Sequence, residues 1–299
     1  MQLREFHYQM LADFVSDLSA RHQVEFHIGG VLEYADCDSR LLQFLSAYVV
    51  HQSAYCMYVK SSPILWNGCI RCKQKVIDEL DRRGEPYFGV CHCGVGEYLA
   101  PIFCRQKAVG FVSAGGFRPD DRTLEKRLRA TARRFNFSLP ELRRVYEETI
   151  PRQESPDKSL KAAAGTLSLL FSSLADDLQL WNAPLTGSRT HQRMLMQQAL
   201  EYIHIRYARG ISIHDIARFC CCSPSYLQHI FKKYSGETIS AYLENLRMEK
   251  ARLLLENSEL SVGQVAAHVG YRDPNYFSAV FAKSHHMSPT AYRGMKGQE

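Results

Sequence analysis

The last third of the chain contains the same pattern of apolar residues twice, and this repeat constrains the fold more than any other feature. The apolar positions of ISIHDIARFCCC return 49 residues later in LSVGQVAAHVGY. Those that follow the next proline, in SYLQHIFKKY, return after 50 residues in NYFSAVFAKS. This region is therefore predicted to use one supersecondary unit twice.

Each copy carries the signals of two short helices. Apolar residues recur at i, i+3, i+4 and i+7, which is the period of an amphipathic helix. The first helix of each copy begins with a capping box, and the second begins with a capping residue followed by proline. Because only a short turn separates them, each copy predicts a helix-turn-helix. The four start signals are Ser212 with Asp215, Ser261 with Gln264, Ser223-Pro224 and Asp273-Pro274.

The outer face of the second helix in each copy has residue types that recognise DNA. Gln and Asn form paired hydrogen bonds with adenine edges, and Lys contacts phosphates or guanine. A solvated face would explain any single helix, but the doubled, proline-capped arrangement favours DNA recognition. The predicted DNA contacts are Ser225, Gln228, His229, Lys232, Asn275, Tyr276, Ser278, Ala279 and Lys283.

A longer helix is predicted between the two copies, over residues 238–257. A helix of about 18 residues spans roughly 27 Å. That length would hold two recognition helices near one turn of the DNA duplex apart, about 34 Å.

Residues 195–294 resemble the DNA-binding domain of the AraC/XylS family of bacterial transcription regulators. The resemblance is carried by FKKYSGETISAYLENLRMEKARLLL and VAAHVGYRDPNYFSAVFAKSHHMSPTAYR. It implies an operator in double-stranded DNA as a partner and RNA polymerase as another if the protein activates transcription. We also expect a homodimer. Ala279 and His229 stand where the family has basic residues, and His286 stands where it has glycine, so the second copy should make fewer base contacts.

Residues 155–190 are predicted to connect this region to the rest of the chain. Their middle is a long helix, and APLTGSRT after it is a predicted hinge. The helix serves either dimerisation or signalling, or it packs on its own domain. Its apolar stripe contains Leu160, Leu167, Leu170, Phe171, Leu174 and Leu178.

Residues 1–154 are predicted to form an α+β domain with an antiparallel sheet, and residues 191–299 an all-α domain. The predicted strands cover residues 24–28, 87–91, 97–103 and 108–114, and the predicted helices cover 71–84, 123–136 and 140–149.

The length of 299 residues agrees with two domains. No run approaches the roughly 18 apolar residues of a membrane span, so we expect a cytoplasmic protein without a membrane partner. GVGE lacks the third glycine of a dinucleotide fingerprint, and no nucleophile and base stand in a known arrangement. Neither an enzyme nor a cofactor is predicted.

The cysteines of the first domain allow three interpretations. Cys69 and Cys72 are followed by Cys91-His92-Cys93, a spacing that approaches a zinc ribbon but ends with one intervening residue instead of two. Cys69, Cys72, Cys91 and Cys93 would then serve a redox or metal-responsive regulator, or a DNA-repair protein whose cysteine accepts a methyl group. Otherwise they only pack. The run Cys220-Cys221-Cys222 would allow redox control at a helix turn.

Residues 66–117 are similar to the PocR-type sensory domain, on the pattern WNGCIRCKQKVIDELDRRGEPYFGVCHCGVGEYLAPIFCRQKAVGFVSAGGF. The similarity implies a PAS-like fold that binds small metabolites such as short diols and polyols. His92 and Glu97 would bind hydroxyl groups, and Trp66 and Tyr87 would form apolar walls. The alternative is that Glu97 only pairs with an arginine. The implied ligand contacts are Trp66, Cys69, Cys72, Tyr87, Cys91, His92 and Glu97.

The two resemblances together predict a transcription factor in which a small-molecule effector, bound in the first domain, controls the placement of two helix-turn-helix units.

Overall fold

The computed structural model describes residues 2–30, 38, 40–51, 53–60, 63–152, 155–180 and 187–296. The chain divides into two units, Met1–Gln197 and Gln198–Glu299. The part of the chain that the structure describes contains no helix long and apolar enough to cross a membrane.

The first unit contains an antiparallel sheet of four strands in the order β1-β4-β3-β2. All four predicted strands are confirmed, with ends that move by no more than three residues. The antiparallel prediction is also confirmed, whereas the likeness to a PAS domain stays a prediction. The strands are β1 (Glu25–Gly29), β2 (Tyr87–Val90), β3 (Gly96–Cys104) and β4 (Lys107–Phe117).

Helices pack around this sheet within the first unit, and the last helix of the series, Gly187–Arg206, runs across the division between the two units. The three helices predicted from the sequence are confirmed, although the first of them begins eight residues earlier, at Pro63, where proline suits the first turn. Three helices before it were not predicted. The helices are α1 (Gln2–His22), α2 (Arg40–Leu45), α3 (Ala54–Val59), α4 (Pro63–Arg83), α5 (Asp121–Phe135), α6 (Leu139–Thr149), α7 (Lys158–Asp177) and α8 (Gly187–Arg206).

The predicted connecting helix, α7, packs on the sheet of its own unit. Ser168 Oγ donates to the carbonyl of Pro101 on β3, and the backbone N–H of Phe103 donates to Ser172 Oγ. The apolar stripe is largely buried there, although Leu170 remains 44% exposed. The stripe is therefore used for packing within the unit, which was one of the two alternatives.

The hinge predicted at residues 183–190 is only partly described. Residues 181–186 lie outside the described residues, whereas α8 already begins at Gly187. The end of the predicted hinge is therefore helical. A glycine and three polar residues join the first turn of α8 because the helix continues for 20 residues, and packing outweighs a weak local preference.

The second unit consists of the predicted helix pairs. Both capping boxes form, at Ser212 and Ser261, and the second helix of each pair, which starts at a proline, is capped by the residue before it. The long helix begins after Thr238, whose side chain accepts from the backbone of Ala241. The helices are α9 (Ile213–Phe219), α10 (Pro224–Ser235), α11 (Ile239–Asn257), α12 (Val262–His268), α13 (Pro274–His285) and α14 (Pro289–Lys296).

Each copy has a left-handed residue at the turn inside the pair and another after the second helix. The turn uses Cys221 (φ 52°) in the first copy and Gly270 (φ 93°) in the second. The position after the second helix is Gly236 (φ 76°) in the first copy and His286 (φ 58°) in the second. Glycine adopts this backbone without strain, and other residues do not. Each copy therefore has the favourable residue at only one of its two left-handed positions.

We predict that Cys221→Gly and His286→Gly each raise the free energy of unfolding, by about 1 kcal/mol, because they remove the left-handed penalty. Urea denaturation of the full chain measures the change. Cys222→Gly is the control, and it should lower stability because this residue has no positive φ. A loss of stability at both test positions would contradict the prediction.

Candidate functional site

The sequence CHCG forms the tight turn that joins β2 to β3. The backbone N–H of Gly94 donates to the carbonyl of Cys91 at 3.0 Å, and Gly94 has a φ of 93°, which favours glycine. Two buried tyrosines hold the turn, since Tyr55 donates to the carbonyl of Cys93 and Tyr146 to that of Gly94. These two hydrogen bonds thus fix the turn, and its position determines where the His92 and Cys93 side chains lie.

His92 lies against helix α4. Its Nε2 is 3.9 Å from the Sγ of Cys69, and a Cβ added to Gly68 would approach the same Nε2 to 3.0 Å. Glycine at this position therefore lets the imidazole sit close to the helix. The ring also hydrogen-bonds the Cys72 thiol. The CHC and CxxC motifs, which are separate in the sequence, thus meet in one place.

The pKa of Cys69 shifts in the opposite direction from that of the neighbouring Cys91. Hydrogen bonds from Cys93 and His92 hold the pKa of Cys69 well below its ordinary value, although burial opposes this. Burial also disfavours the charged form of His92, but its hydrogen bonds with Cys69 and Cys72 raise its pKa to about 9. Burial instead raises the pKa of Cys91 well above the ordinary value. The contact therefore favours a thiolate at Cys69 beside a charged imidazole at His92.

Glu97 lies on β3 with its side chain only 8% exposed. Burial raises the pKa of this carboxyl to about 7. Its Oε2 is 3.6 Å from the Nε2 of His51, which has no hydrogen-bond partner among the described residues. Burial holds the pKa of His51 well below its usual value, so the imidazole is neutral. The two polar groups therefore lie side by side, and both line the cavities from which a third polar group could approach them.

Two cavities share His51, Cys56 and Glu97 in their walls. The larger has a volume of about 330 Å³ and the smaller about 50 Å³. The larger is also lined by Ser19, Gln23, Val24, Glu25, Ser53, Val95, Gly115, Gly116, Thr149, Ile150 and Pro151. The smaller is also lined by Val59, Lys60, Cys69, Cys72, Lys73, Val76, Cys91, His92, Cys93 and Phe111.

Five of the seven predicted ligand contacts, Cys69, Cys72, Cys91, His92 and Glu97, come together in the wall of the smaller cavity. Trp66 belongs to α4, but its side chain lies outside the described residues. Tyr87 lines neither of these two cavities, and its part in ligand binding stays a prediction. It packs on Leu80 with Arg83 over its ring, because it stands at the far end of β2 beneath the last turns of α4.

The four-thiol metal site considered from the sequence is not formed. In the described ranges no group of three or more His, Cys, Asp or Glu side chains is placed to hold a metal ion. Cys69, Cys72, Cys91 and Cys93 line one cavity, but they do not form a ligand set.

Sequence reasoning missed His51, Lys60 and Lys73. His51 follows a short 3-10 helix, Ser46–Tyr48, where no periodic pattern identifies a site residue. Lys60 and Lys73 had no signal either, because an isolated lysine is typical of any surface. Only the packing of α3 and α4 places all three side chains in the wall of the smaller cavity.

The carbonyl of Val49 collects three donors beside this site. It accepts from His27 Nε2 at 2.8 Å, from Lys73 Nζ at 3.1 Å and from Gln197 Nε2 at 3.0 Å. His27 is fully buried, and burial and the nearby Lys73 hold its pKa well below the usual value. Its Nε2 therefore carries the proton that the carbonyl accepts. One backbone oxygen thus connects β1 and α4 with α8.

The predicted DNA contacts lie on the outer faces of α10 and α13. Leu227, Ile230 and Phe231 are buried, which leaves Ser225, Gln228, His229 and Lys232 exposed on the other face of α10. On α13, Asn275, Tyr276, Ala279 and Lys283 are exposed. Ser278 is half-buried and donates its hydroxyl to the carbonyl of Pro274. The face of α13 therefore offers fewer free polar groups than the face of α10.

We predict that Glu97→Gln raises stability more at high pH than at low pH. Since the folded pKa of about 7 exceeds the ordinary 4.5, the contribution of Glu97 to folding is full below pH 4.5 and is lost as pH rises through 7. At pH 8 the free energy of unfolding should be lower by roughly 3 kcal/mol because the buried carboxyl ionises, and the uncharged amide of the variant should not cause this loss. Urea denaturation at pH 5, 6.5 and 8 measures the difference between the two proteins.

Glu125→Gln is the matched control. The hydrogen bond from Arg143 lowers the pKa of that carboxylate below 4.5, so its contribution to folding is full above pH 4.5 and the effect of this variant should stay nearly constant between pH 5 and 8. Parallel pH profiles for Glu97→Gln and the unchanged chain would contradict the raised pKa.

Comparison with known proteins divides the chain in the same way. Residues 37–177 match the family described as a sensory domain found in PocR, and residues 216–295 match the helix-turn-helix domain family. The regulatory protein PocR of Salmonella typhimurium is 28% identical over 223 residues, which are 72% of this chain and 73% of that protein.

Two further relatives match the carboxyl-terminal part. The arabinose operon regulatory protein of Escherichia coli is 31% identical over 128 residues, 42% of this chain and 46% of that protein. The transcriptional activator RhaR of Mannheimia succiniciproducens is 45% identical over 79 residues, 26% of this chain and 29% of that protein. This chain thus spans less than half the length of either. The chain combines both domains, and it is an AraC-family DNA-binding transcriptional regulator with a PocR-type sensory domain.

Proposed function

We propose that the first unit binds a small hydroxylated molecule, a short diol or polyol, and that binding controls how the second unit binds DNA. One observation carries the ligand part. His51 Nε2 and Glu97 Oε2 face each other at 3.6 Å in the wall shared by two cavities, and His51 Nε2 has no partner among the described residues.

A hydroxyl group suits this pair because it both donates and accepts. Neutral His51 offers either a proton or a lone pair at Nε2. Glu97, with a pKa of about 7, offers both forms near neutral pH. A buried polar group without a partner is costly, so a bound hydroxyl would recover a hydrogen bond. The volume of about 330 Å³ lies at the lower end of the range for small-molecule sites, which favours a short ligand.

The ligand can act only by binding one arrangement of the chain more tightly than another. We assign sensing to residues 1–154, with a PAS-like fold, connection to 155–190, and DNA binding to 191–299. Both helix pairs act as helix-turn-helix units. The protein works in the cytoplasm as a homodimer without enzymatic activity, and it contacts RNA polymerase where it activates transcription.

The ligand proposal is tested by thermal-shift measurements on the full chain with ethanediol, propanediols, glycerol and longer polyols. At least one short diol should raise the melting temperature. At 100 times its Kd the stabilisation should be about 2.7 kcal/mol. Glu97→Gln should weaken that ligand at least tenfold, because it removes the carboxylate acceptor at the pair.

Tyr87→Phe is the control, since this side chain packs beneath Arg83 and lines neither cavity. It should keep the full shift. No response to any diol or polyol, or an unchanged response in Glu97→Gln, would refute the assignment.

For DNA binding, Gln228→Ala should weaken binding to the selected operator by about 1 to 3 kcal/mol and leave random DNA unaffected. Lys232→Ala should weaken binding to both DNAs and lower the salt slope by about one. Fluorescence anisotropy over a range of salt concentrations measures both effects. Lys161→Ala, on the exposed side of α7, is the charge-matched control. Equal losses on both DNAs for Gln228→Ala would remove its role in base recognition.

A further inference from the structure

The smaller cavity contains a pair of thiols that differ from the other cysteines of the first unit. Cys69 on α4 and Cys93 on the β2–β3 turn line this cavity together, and Cys69 Sγ lies 3.9 Å from His92 Nε2. Cys56, Cys72 and Cys91 line the same cavity. Cys72 also interacts with His92, but the short contact with the imidazole is made by Cys69, and a thiolate needs such a partner in order to form.

The proton positions agree with this geometry. Hydrogen bonds from Cys93 and His92 keep the pKa of Cys69 low, whereas its hydrogen bond to Cys69 and burial raise the pKa of Cys93 well above the ordinary value. The electrostatics thus favour the thiolate at Cys69 and the neutral thiol at Cys93. Lys60 adds a positive charge near Cys69, which favours the thiolate further.

The site is also accessible to a small oxidant. Cys69 is half-buried, and the cavity of about 50 Å³ has room for a few water-sized molecules. Cys93 is 2% exposed and is held by the turn that Tyr55 and Tyr146 anchor. Cys69, which a peroxide can reach, thus shares the cavity with Cys93, whose position is fixed by the turn.

We propose that Cys69 is a peroxide-reactive thiol and that Cys93 resolves its oxidation by forming a disulfide, which gives the regulator a redox input at its sensory cavity. The Cys69 thiolate attacks a peroxide oxygen and becomes a sulfenic acid, and the O–O bond breaks. The leaving hydroxide or alkoxide takes a proton from the His92 imidazolium. The Cys93 sulfur then attacks the Cys69 sulfur, and the hydroxyl leaves as water with the Cys93 proton. The peroxide is reduced by two electrons, and two small thiols can reverse the oxidation by exchange.

The disulfide would tie α4 to the β2–β3 turn across the smaller cavity. Cys69 and Cys93 line the same wall as Glu97, so closure there competes with a ligand at the His51 and Glu97 pair. This consequence, unlike the chemistry itself, rests on the proposed diol site. The oxidised chain should lose the diol-dependent rise in melting temperature.

The chemistry is tested on the reduced full chain without any diol. The protein is treated with hydrogen peroxide, free thiols are blocked with N-ethylmaleimide, and unreduced peptides are analysed by mass spectrometry. We expect a peptide pair joined through Cys69 and Cys93. In Cys93→Ser the sulfenic acid should persist on Cys69 and be trapped by dimedone, because the resolving thiol is gone. Cys56→Ser is the matched control from the same cavity, where burial raises the pKa of the thiol to about 12. It should leave the disulfide unchanged.

A second measurement needs no variant. In the unchanged chain, limited iodoacetamide at pH 6.5 should alkylate Cys69 at least about tenfold faster than Cys56, as expected for a thiolate beside a thiol. His92→Gln should remove most of this advantage. Alkylation of Cys69 no faster than Cys56, or peroxide-induced disulfides that join other cysteines, would overturn the proposal. Both readouts are chemical, so they hold or fail whether or not a diol binds.

Discussion

Two buried tyrosines determine the position of the β2–β3 turn, which carries His92 and Cys93. Tyr55 and Tyr146 are both fully buried, their rings meet edge to face at 4.9 Å, and each donates its hydroxyl to a carbonyl of the β2–β3 turn. A tight turn between two strands would otherwise be free to bend at its glycine. Because each hydroxyl spends its hydrogen bond on this turn, α3 and α6 hold the turn, and with it His92 and Cys93, in place beside α4.

The cavity above this support is polar to a degree that folding alone does not favour. His51 and Glu97 line it, and burial shifts the pKa of each toward the neutral form. Such shifts oppose stability and concentrate at functional sites. A ligand that hydrogen-bonds both groups would recover part of that cost, which is the reason for proposing a diol at this pair.

Local signals predicted much of the fold and little of the site. The capping boxes at Ser212 and Ser261 fix helix starts within one turn of chain, so the helices of the second unit could be placed from the sequence. The position of His51 beside Glu97 depends instead on contacts between residues 46 apart in an irregular segment. Likewise, four similar cysteines could not be ranked from their spacing, because the difference arises from how burial and the neighbouring groups act on each sulfur. For Tyr87, alternation gives the face of the strand but not which end of it a helix covers.

The two helix pairs of the second unit preserve the same left-handed turns with different residues in them. Cys221 stands where the other copy has Gly270, and His286 stands where the other copy has Gly236. If the preference of glycine for a positive φ produced these turns, the positions with cysteine or histidine would have a different backbone conformation from those with glycine. The backbone is left-handed at the matching positions of both copies, so the tertiary packing of each pair dictates the turn. Each copy therefore shows, at its own glycine, the residue that would relieve the strain at the matching turn of the other.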